Sequence, residues 1–248
     1  NHVSWNWKAG TSFTNDASAT GIGSIDSTGS VNTDAGFSIV SYSGNSTAGA
    51  TIAHGLGATP KMMIVRKRNS AENWLVYHAS TGNTGATLLN GTNAFFQDDM
   101  WNSTSPTSSV FTVHGGAGAN ASGGTYIAYC FTDVKGYSKF SSYIGNGNAD
   151  GAFVYTGFKS AFVMIKKTSG TGNWCLFDNK RGVNGAMIQL NPDVNNADNT
   201  SNYIDFLSNG FKCRNTASDK NASGGSYIYM AFAENPFVTS TGVPATAR

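Results

Sequence analysis

The chain has 248 residues, of which 12% are charged and 40% are hydrophobic, and its formal net charge is +2. This near-neutral charge, with no basic run longer than Arg66-Lys67-Arg68, argues against nucleic acid as a partner, because binding nucleic acid needs a concentrated positive surface. The apolar content argues against disorder, and since no apolar run reaches the roughly 20 residues of a spanning helix, we expect no membrane insertion.

The first 35 residues contain a short aromatic run followed by a polar connector. Residues 2–7 read His-Val-Ser-Trp-Asn-Trp and match a later run, Tyr126 to Phe131, with aromatic or β-branched residues at corresponding places. We therefore interpret residues 1–8 as the last strand of a preceding repeat, and the chain as the C-terminal piece of a longer protein. The Gly-, Ser-, Thr- and Asn-rich residues that continue to Ala35 are typical of a linker. Residues 1–35 are thus predicted to be a strand plus a linker.

From residue 36 onward the pattern is that of strands joined by turns. Residues 36–42 alternate, with Phe37 and Ile39 on one side and Val40 and Tyr42 on the other, as in a half-buried strand. No stretch of ten or more residues has a convincing helical period, so the chain is predicted to be all-β. Further strands are predicted at 62–65, 73–78, 86–89, 110–113 and 126–131.

The second half of the chain repeats the first. The run Ala-Ser-Gly-Gly-Thr-Tyr-Ile at 121–127 returns as Ala-Ser-Gly-Gly-Ser-Tyr-Ile at 222–228, and Asn73-Trp74 returns as Asn173-Trp174. Other pairs also lie 100 or 101 positions apart, and so many matches at one spacing indicate an internal duplication. The corresponding strands are predicted at 162–165, 173–178, 186–190, 203–206, 210–213 and 227–232.

The duplication defines the predicted domain organisation. We expect two tandem antiparallel β-sandwich domains of a jelly-roll-like kind, each with roughly seven or eight strands. The first repeat spans residues 36–140, the second spans 141–237, and residues 238–248 form a C-terminal tail. Each repeat, at about 100 residues, is large enough to bury its own core.

Cysteine and histidine residues give no sign of a metal or disulfide site. Cys130, Cys175 and Cys213 each stand where the other repeat has an apolar residue, which favours reduced thiols packed as small hydrophobes. The four histidines include no His-x-His or His-Glu-x-x-His spacing, so a zinc site from neighbouring ligands is unsupported. We expect structural or merely exposed histidines, no cofactor and no metal, while calcium held by loop aspartates is left open.

Catalytic chemistry has little support in the sequence. No Gly-x-Ser-x-Gly elbow is present. A glycosidase needs two carboxylates across a sugar cleft, and the adjacent Asp98 and Asp99 of a long polar loop are more typical of turns or solvated charges. The same holds for Asp193, Asp198 and Asp205 in the second repeat. We therefore expect no enzymatic activity, with degradation of glycan as the alternative.

The aromatic residues divide into two groups. Trp74 and Trp174 recur in both repeats with the same neighbours, which indicates a role in the core. An aromatic cluster in the loop after residue 90 has no counterpart in the second repeat, so the fold does not require it. We predict that this loop contacts a sugar ring or a neighbouring subunit, and the alternative is that it caps the end of the sandwich. The predicted ligand-binding residues are Phe95, Phe96, Gln97, Asp98, Asp99, Trp101 and Asn102.

Several motifs together resemble a known group of proteins. The combination is similar to repeat-bearing virion proteins of tailed bacteriophages, frequent in phages of marine bacteria, which include tail fibre and other structural proteins. The likeness covers nearly all of residues 36–237, and the second repeat departs from it at Thr156-Gly157-Phe158, where a turn is shortened. The motifs are His54-Gly-Leu-Gly-x-x-Pro60-Lys61, Asn73-Trp74-x-Val76-Tyr77-His78, Gly123-Gly124-x-Tyr126-Ile127-Ala128-Tyr129-Cys130-Phe131, Gly136-Tyr137-Ser138-Lys139-Phe140 and Ala233-Glu234-Asn235-Pro236-Phe237.

The resemblance implies a structural protein of the virion, an extracellular particle. We expect a distal fibre or spike module that adheres to host surface glycan, and the alternative is a capsid decoration or head-fibre protein with a purely architectural role. The implied partners are other copies of the chain in a homo-oligomer such as a trimer, other virion proteins and host surface glycan. These virion proteins share no agreed catalytic or binding motif, so the resemblance implies no site residue.

Overall fold

A computed structural model describes residues 4–182 and 187–234 of the protein. Within these ranges the chain is built from antiparallel sheets and two four-residue helices, so the all-β prediction is confirmed. Neither helix is long or apolar enough to cross a membrane. The chain divides into two compact units, an N-terminal unit (Asn6–Leu89 and Phe96–Thr132) and a C-terminal unit (Asn1–Trp5, Asn90–Phe95 and Asp133–Arg248).

The N-terminal unit contains a large and a small antiparallel sheet. Its elements are β1 (Thr11–Asn15), α1 (Ala17–Thr20), β2 (Ser27–Asn32), β3 (Phe37–Ser43), β4 (Ala50–Ala53), β5 (Met62–Lys67), β6 (Leu75–His78), β7 (Gly82–Leu88), β8 (Phe96–Gln97), β9 (Val110–Val113) and β10 (Thr125–Phe131). The large sheet has the strand order β1-β2-β3-β10-β5-β6-β7-β8, and β4 pairs with β9 in the small sheet.

The core of the N-terminal unit lies between these two sheets. Successive side chains of a strand point to opposite faces, and Val40 and Tyr42 of β3 enter the core with Tyr126 of β10. Ile52 of β4 and Phe111 of β9 pair opposite each other and join the same core. Burial of such apolar side chains is the dominant favourable term in folding. The predicted alternation in β3 is therefore confirmed.

The C-terminal unit also contains two antiparallel sheets. Its elements are β11 (Ser138–Ile144), β12 (Phe153–Tyr155), β13 (Ser160–Lys167), β14 (Trp174–Asp178), β15 (Gln189–Leu190), β16 (Ile204–Leu207), β17 (Gly210–Cys213), α2 (Ser218–Asn221) and β18 (Ser226–Ala233). The strand orders are β11-β18-β13-β14-β15 and β12-β17-β16. Val163, Phe177, Phe211 and Tyr229 belong to the core that these two sheets enclose.

A pair of stacked tyrosines occupies the same kind of position in each unit. In the N-terminal unit the rings of Tyr42 and Tyr126 lie 5.1 Å apart, and the Tyr42 hydroxyl donates to the carbonyl oxygen of Ala119 at 2.7 Å. In the C-terminal unit the rings of Tyr143 and Tyr227 lie 5.0 Å apart. The Tyr143 hydroxyl donates a hydrogen bond to the carbonyl oxygen of Lys220 at 2.7 Å. These matching contacts agree with a duplication, which stays a prediction.

The prediction of a linker up to Ala35 is wrong in one respect, because part of this segment forms strands. β1 pairs with β2, and β2 pairs with β3 from Ser27↔Tyr42 to Asn32↔Phe37. Thr-rich sequence is compatible with strands, and Phe13 packs against the core. These strands raise the N-terminal unit to ten, above the predicted number for one repeat.

The aromatic run at the start of the chain does not form the predicted strand over its described residues. Residues 4–10 precede β1 and belong to no sheet. Trp5 contacts Phe162 edge to face at 5.8 Å, and Trp7 contacts Phe131 in the same manner at 6.4 Å. Aromatic contacts of this kind, rather than a strand ladder, hold the run in place.

Most of the other predicted strands are confirmed with shifted ends. The strand predicted at 110–113 coincides with β9, and the strand predicted at 210–213 coincides with β17. The predicted strand 186–190 corresponds to the shorter β15, and its first residue lies outside the described residues. The predicted tail 238–248 and the final motif residues 235–237 also lie outside them.

Candidate functional site

The structure places Trp101 in the core rather than on a binding surface. Its side chain is 0% exposed, and its indole Nε1 donates a hydrogen bond to the carbonyl oxygen of Gly85 at 2.9 Å. The Trp101 ring meets the Tyr77 ring edge to face at 5.8 Å. A fully buried ring cannot stack on a sugar. The prediction of ligand binding by Trp101 is therefore wrong, because its ring packs in the core of the N-terminal unit, and the alternative that the loop caps the end of the sandwich stays a prediction.

The rest of the predicted loop is divided between packing and turns. Phe96 pairs with Ala86 in β8 and packs against the core. The Asp99 carboxylate accepts a hydrogen bond from the Ser103 hydroxyl at 3.1 Å, and Asn102 has a positive φ of 50°. A positive φ at asparagine is typical of a tight turn. Gln97, Asp98 and Asp99 are exposed, whereas Phe95 and Asn102 are half-buried, so these residues form no aromatic binding face.

Two exposed aromatic side chains lie instead on β12 of the C-terminal unit. Phe153 is 49% exposed and Tyr155 is 64% exposed, whereas Val154 between them is buried. Residues two apart in a strand share a face and lie about 7 Å apart, so both rings stand on the outer face of β12. β12 is an outer strand of its sheet. Adjacent aromatic side chains that face solvent are uncommon on protein surfaces and mark candidate contact sites.

The fold does not require these two rings. Val154 of β12 pairs with Phe211 in the same way that Ile52 of β4 pairs with Phe111. The neighbours of Ile52 in the N-terminal unit are Thr51 and Ala53, small side chains at positions where the C-terminal unit has aromatic rings. Comparison of the two repeats around the shortened turn could have identified this difference from sequence.

A groove of about 520 Å³ lies beside Tyr155. Polar and charged groups line it together with the Tyr155 ring. Gly157 has a φ of +88°, and a Cβ at this position would lie 3.6 Å from the Tyr155 hydroxyl. The positive φ favours glycine at this position, whereas the 3.6 Å distance is an ordinary van der Waals contact. The lining residues are Asp133, Lys135, Gly136, Ser138, Lys139, Tyr155, Thr156 and Gly157.

Charged groups in this groove are partly committed to one another. Lys139 Nζ lies 2.7 Å from Asp133 Oδ2, and Asp133 Oδ1 accepts from the backbone amide of Phe140 at 2.8 Å. Lys135 is exposed and forms no ion pair with the residues that the structure describes. The groove thus offers one aromatic face, one available cation and one oriented carboxylate.

A second groove, of about 800 Å³, lies in the N-terminal unit. It is lined mainly by polar residues, including Asp16, Asp26 and Arg68. The tyrosines in its lining, Tyr42 and Tyr126, are buried. A hydrogen bond from the Ser18 hydroxyl lowers the pKa of Asp16, whereas a general acid at neutral pH needs a raised pKa. This groove therefore presents no aromatic stacking face, and Asp16 does not have the raised pKa of a glycosidase proton donor.

The predicted structural histidines and cysteines occupy buried positions. His54 and His78 are buried, and Cys130, Cys175 and Cys213 are free and buried. Burial raises the pKa of Cys130 to about 12 and that of Cys213 to about 11. Such thiols are protonated and unreactive at neutral pH. In the part of the chain that the structure describes, no three His, Cys, Asp or Glu side chains group as metal ligands.

The fold and surface define an all-β protein with two exposed aromatic side chains on β12. A family model described as a domain of unknown function, DUF7483, matches residues 1–236, and the chain belongs to that family. The match extends over residues of both compact units. No curated protein and no solved structure matches the chain.

Proposed function

We propose that this protein is a virion structural protein of a tailed bacteriophage, a distal fibre or spike module that adheres to host surface glycan. The surface formed by Phe153, Tyr155 and the groove beside Tyr155 is the contact region. The observation that supports adhesion most directly is the 64% exposure of the Tyr155 ring. The resemblance to phage virion proteins supports the location in the particle.

The chemistry of the groove suits a sugar. An aromatic ring stacks against the apolar C–H face of a pyranose, and polar groups at its border bind the hydroxyl groups. Asp133 accepts hydrogen bonds and Lys135 donates them. The exposed Lys135 ammonium also favours a sugar that carries a carboxylate. An acidic host polysaccharide is therefore the ligand that this surface fits best.

The test is binding of the protein to host cells and to an array of host surface glycans. Tyr155→Ala removes the stacking face, and we expect binding to weaken by roughly 2- to 13-fold, which corresponds to the about 0.5–1.5 kcal/mol that an aromatic contact contributes. Tyr155→Phe keeps the ring and should keep most of the affinity. Failure of the unsubstituted protein to bind any host glycan would exclude the adhesive role.

Ile144→Ala is the matched control for the binding test. Ile144 is 59% exposed, lies at the end of β11 in the same unit and does not line the groove. We expect this variant to bind like the unsubstituted protein. An equal loss of binding in Ile144→Ala and Tyr155→Ala would show that the effect is a general surface change and would contradict the proposed site.

An architectural role without a ligand is the second candidate, as a capsid decoration or head fibre. Each unit is rich in tight turns and has its own closed core, which suits a durable particle component. The two candidates differ in one result, because only the adhesive module binds host glycan. We propose no catalytic activity towards glycan. Incubation of the protein with host polysaccharide should therefore leave the length of the polysaccharide unchanged.

A further inference from the structure

The C-terminal unit contains a buried lysine surrounded by polar side chains. Lys220, in α2, is 1% exposed. Its Nζ lies 2.7 Å from Gln189 Oε1, 2.7 Å from Asp219 Oδ1 and 3.8 Å from Cys175 Sγ. The Tyr203 ring centroid lies 3.9 Å from the same nitrogen. Buried polar clusters are costly unless every member is satisfied, so their presence calls for an explanation.

The N-terminal unit builds the same region without this cluster. Tyr42 donates its hydroxyl to the carbonyl of Ala119, as Tyr143 does to the carbonyl of Lys220. The backbone position of Lys220 is thus held by an alanine in the other unit. Cys175 pairs with Ile165 in the way that Leu75 pairs with Val65. Since apolar residues suffice for the fold at these positions, the polar cluster serves some other purpose.

The geometry points to an intramolecular isopeptide bond between Lys220 Nζ and the side-chain carbonyl carbon of Gln189. The amide carbon lies one C=O bond, about 1.2 Å, beyond Oε1, and so within about 4 Å of the lysine nitrogen. The amide nitrogen of Gln189 donates to Asn191 Oδ1 at 3.1 Å, which fixes the orientation of the amide. Nucleophile and carbonyl are therefore held together before reaction.

Asp219 is placed to move the protons that this reaction requires. Its Oδ1 contacts Nζ, so the carboxylate can take a proton from the lysine ammonium and leave a neutral amine. The amine forms the new C–N bond at Cδ of Gln189, and the bond from Cδ to Nε2 breaks. The proton on Asp219 passes to Nε2, which leaves as ammonia, and the carboxylate takes up the remaining extra proton from Nζ. No oxidant or cofactor enters the balance.

Cys175 is a weaker candidate for the nucleophile. Its Sγ donates to Asp219 Oδ2 at 3.3 Å, and burial raises its pKa well above the ordinary value. A thiol must be ionised to attack. The lysine nitrogen, by contrast, lies 2.7 Å from the Gln189 carbonyl oxygen.

The test is the intact mass of the purified full chain, followed by peptide mapping. We expect a deficit of one ammonia relative to the sequence, and a branched peptide in which Lys220 is joined to Gln189. Asp219→Asn keeps both partners but lacks the proton acceptor, and it should show the full sequence mass. Gln189→Leu, which places an apolar side chain in the cluster, should also show the full mass of its sequence.

Three results would overturn the proposal. The first is a mass equal to that of the sequence in the folded, unsubstituted protein. The second is an ammonia deficit that maps to a succinimide at an Asn-Gly pair such as Asn146-Gly147. The third is a gain of one oxygen with loss of two hydrogens that disappears in Cys175→Ser, since this mass indicates an N–O–S bridge between the lysine and the cysteine.

Discussion

His54 is a buried histidine that its neighbours hold in the neutral state. It is 0% exposed, its Nδ1 accepts a hydrogen bond from the Leu56 amide at 3.2 Å, and its Nε2 lies 3.2 Å from the Thr107 carbonyl oxygen. One nitrogen must accept and the other must donate, which is the pattern of neutral imidazole. Burial lowers the pKa of His54 from its ordinary value of 6.5.

The lowered pKa predicts that the N-terminal unit loses stability in mild acid. In the window from pH 6.5 down to the lowered pKa, the unfolded chain binds more protons at this histidine than the folded chain does. The free energy of unfolding therefore rises with pH across this window and falls as the pH drops below 6.5. Urea unfolding at several pH values measures this slope, and His54→Asn should flatten it. An unchanged slope in that variant would contradict the assignment.

Trp101 should matter for stability and not for adhesion. Replacing a buried large aromatic side chain by alanine costs about 3–5 kcal/mol of unfolding free energy, and Trp101→Ala also leaves the Gly85 carbonyl without its indole donor. Urea unfolding measures the loss. The control is Tyr155→Ala, whose exposed ring should contribute within about 0.5 kcal/mol. A Trp101→Ala protein as stable as the control would contradict the core position.

At the scale of elements, β1 and β2 are integral parts of the N-terminal unit, and Gly29 is a sensitive position. Gly29 pairs with Phe13 on one side and Val40 on the other. A Cβ at Gly29 would lie 2.2 Å from the Ile39 carbonyl oxygen and 2.9 Å from the Phe13 ring. No side chain fits at these distances without displacing a strand.

Gly29→Ala should therefore destabilise the N-terminal unit by about 1–3 kcal/mol or more and increase amide hydrogen exchange in residues 11–15 and 27–32. The matched control is Gly116→Ala, because the nearest atom to its added Cβ is His114 Nδ1 at 4.0 Å. This control should change stability by less than about 0.5 kcal/mol. Equal effects of the two substitutions would mean that β1 and β2 are peripheral.

The strands that sequence could predict are those with apolar or strongly alternating residues. Met62–Lys67 and Phe37–Ser43 are examples, because two-fold periodicity reports directly on which face is buried. β1 and β2 escaped prediction because Phe13 is the large apolar side chain in their Ser-, Thr- and Gly-rich sequence. The helices α1 and α2 have four residues each, too few for a helical period to register.

The exposed aromatic pair on β12 was harder to predict for a different reason. Composition cannot distinguish a loop tryptophan that is buried from one that faces solvent. Trp101 is buried, where its indole N–H donates to the Gly85 carbonyl oxygen and its ring packs against Tyr77. Phe153 and Tyr155 occupy a strand of three residues, where alternation is too brief to be diagnostic. Exposure of an aromatic side chain depends on tertiary packing, which the local residue pattern of so short a strand does not reveal.

At the scale of the whole molecule, the two units differ in their exposed aromatic and buried polar side chains. Their tyrosine pairs and strand pairings correspond. The exposed Tyr155 and the buried Lys220 belong to the C-terminal unit, and Ala53 and Ala119 occupy the corresponding places in the N-terminal unit. If one ancestral repeat gave rise to both, the two copies have diverged at these places.

All three cysteines of the chain are packed inside the protein. A single cysteine introduced at an exposed position such as Ser122 would therefore be the one thiol open to maleimide in the native protein. Gold or a fluorophore attached there would locate the chain in the particle that we propose, and no native thiol would have to be removed first.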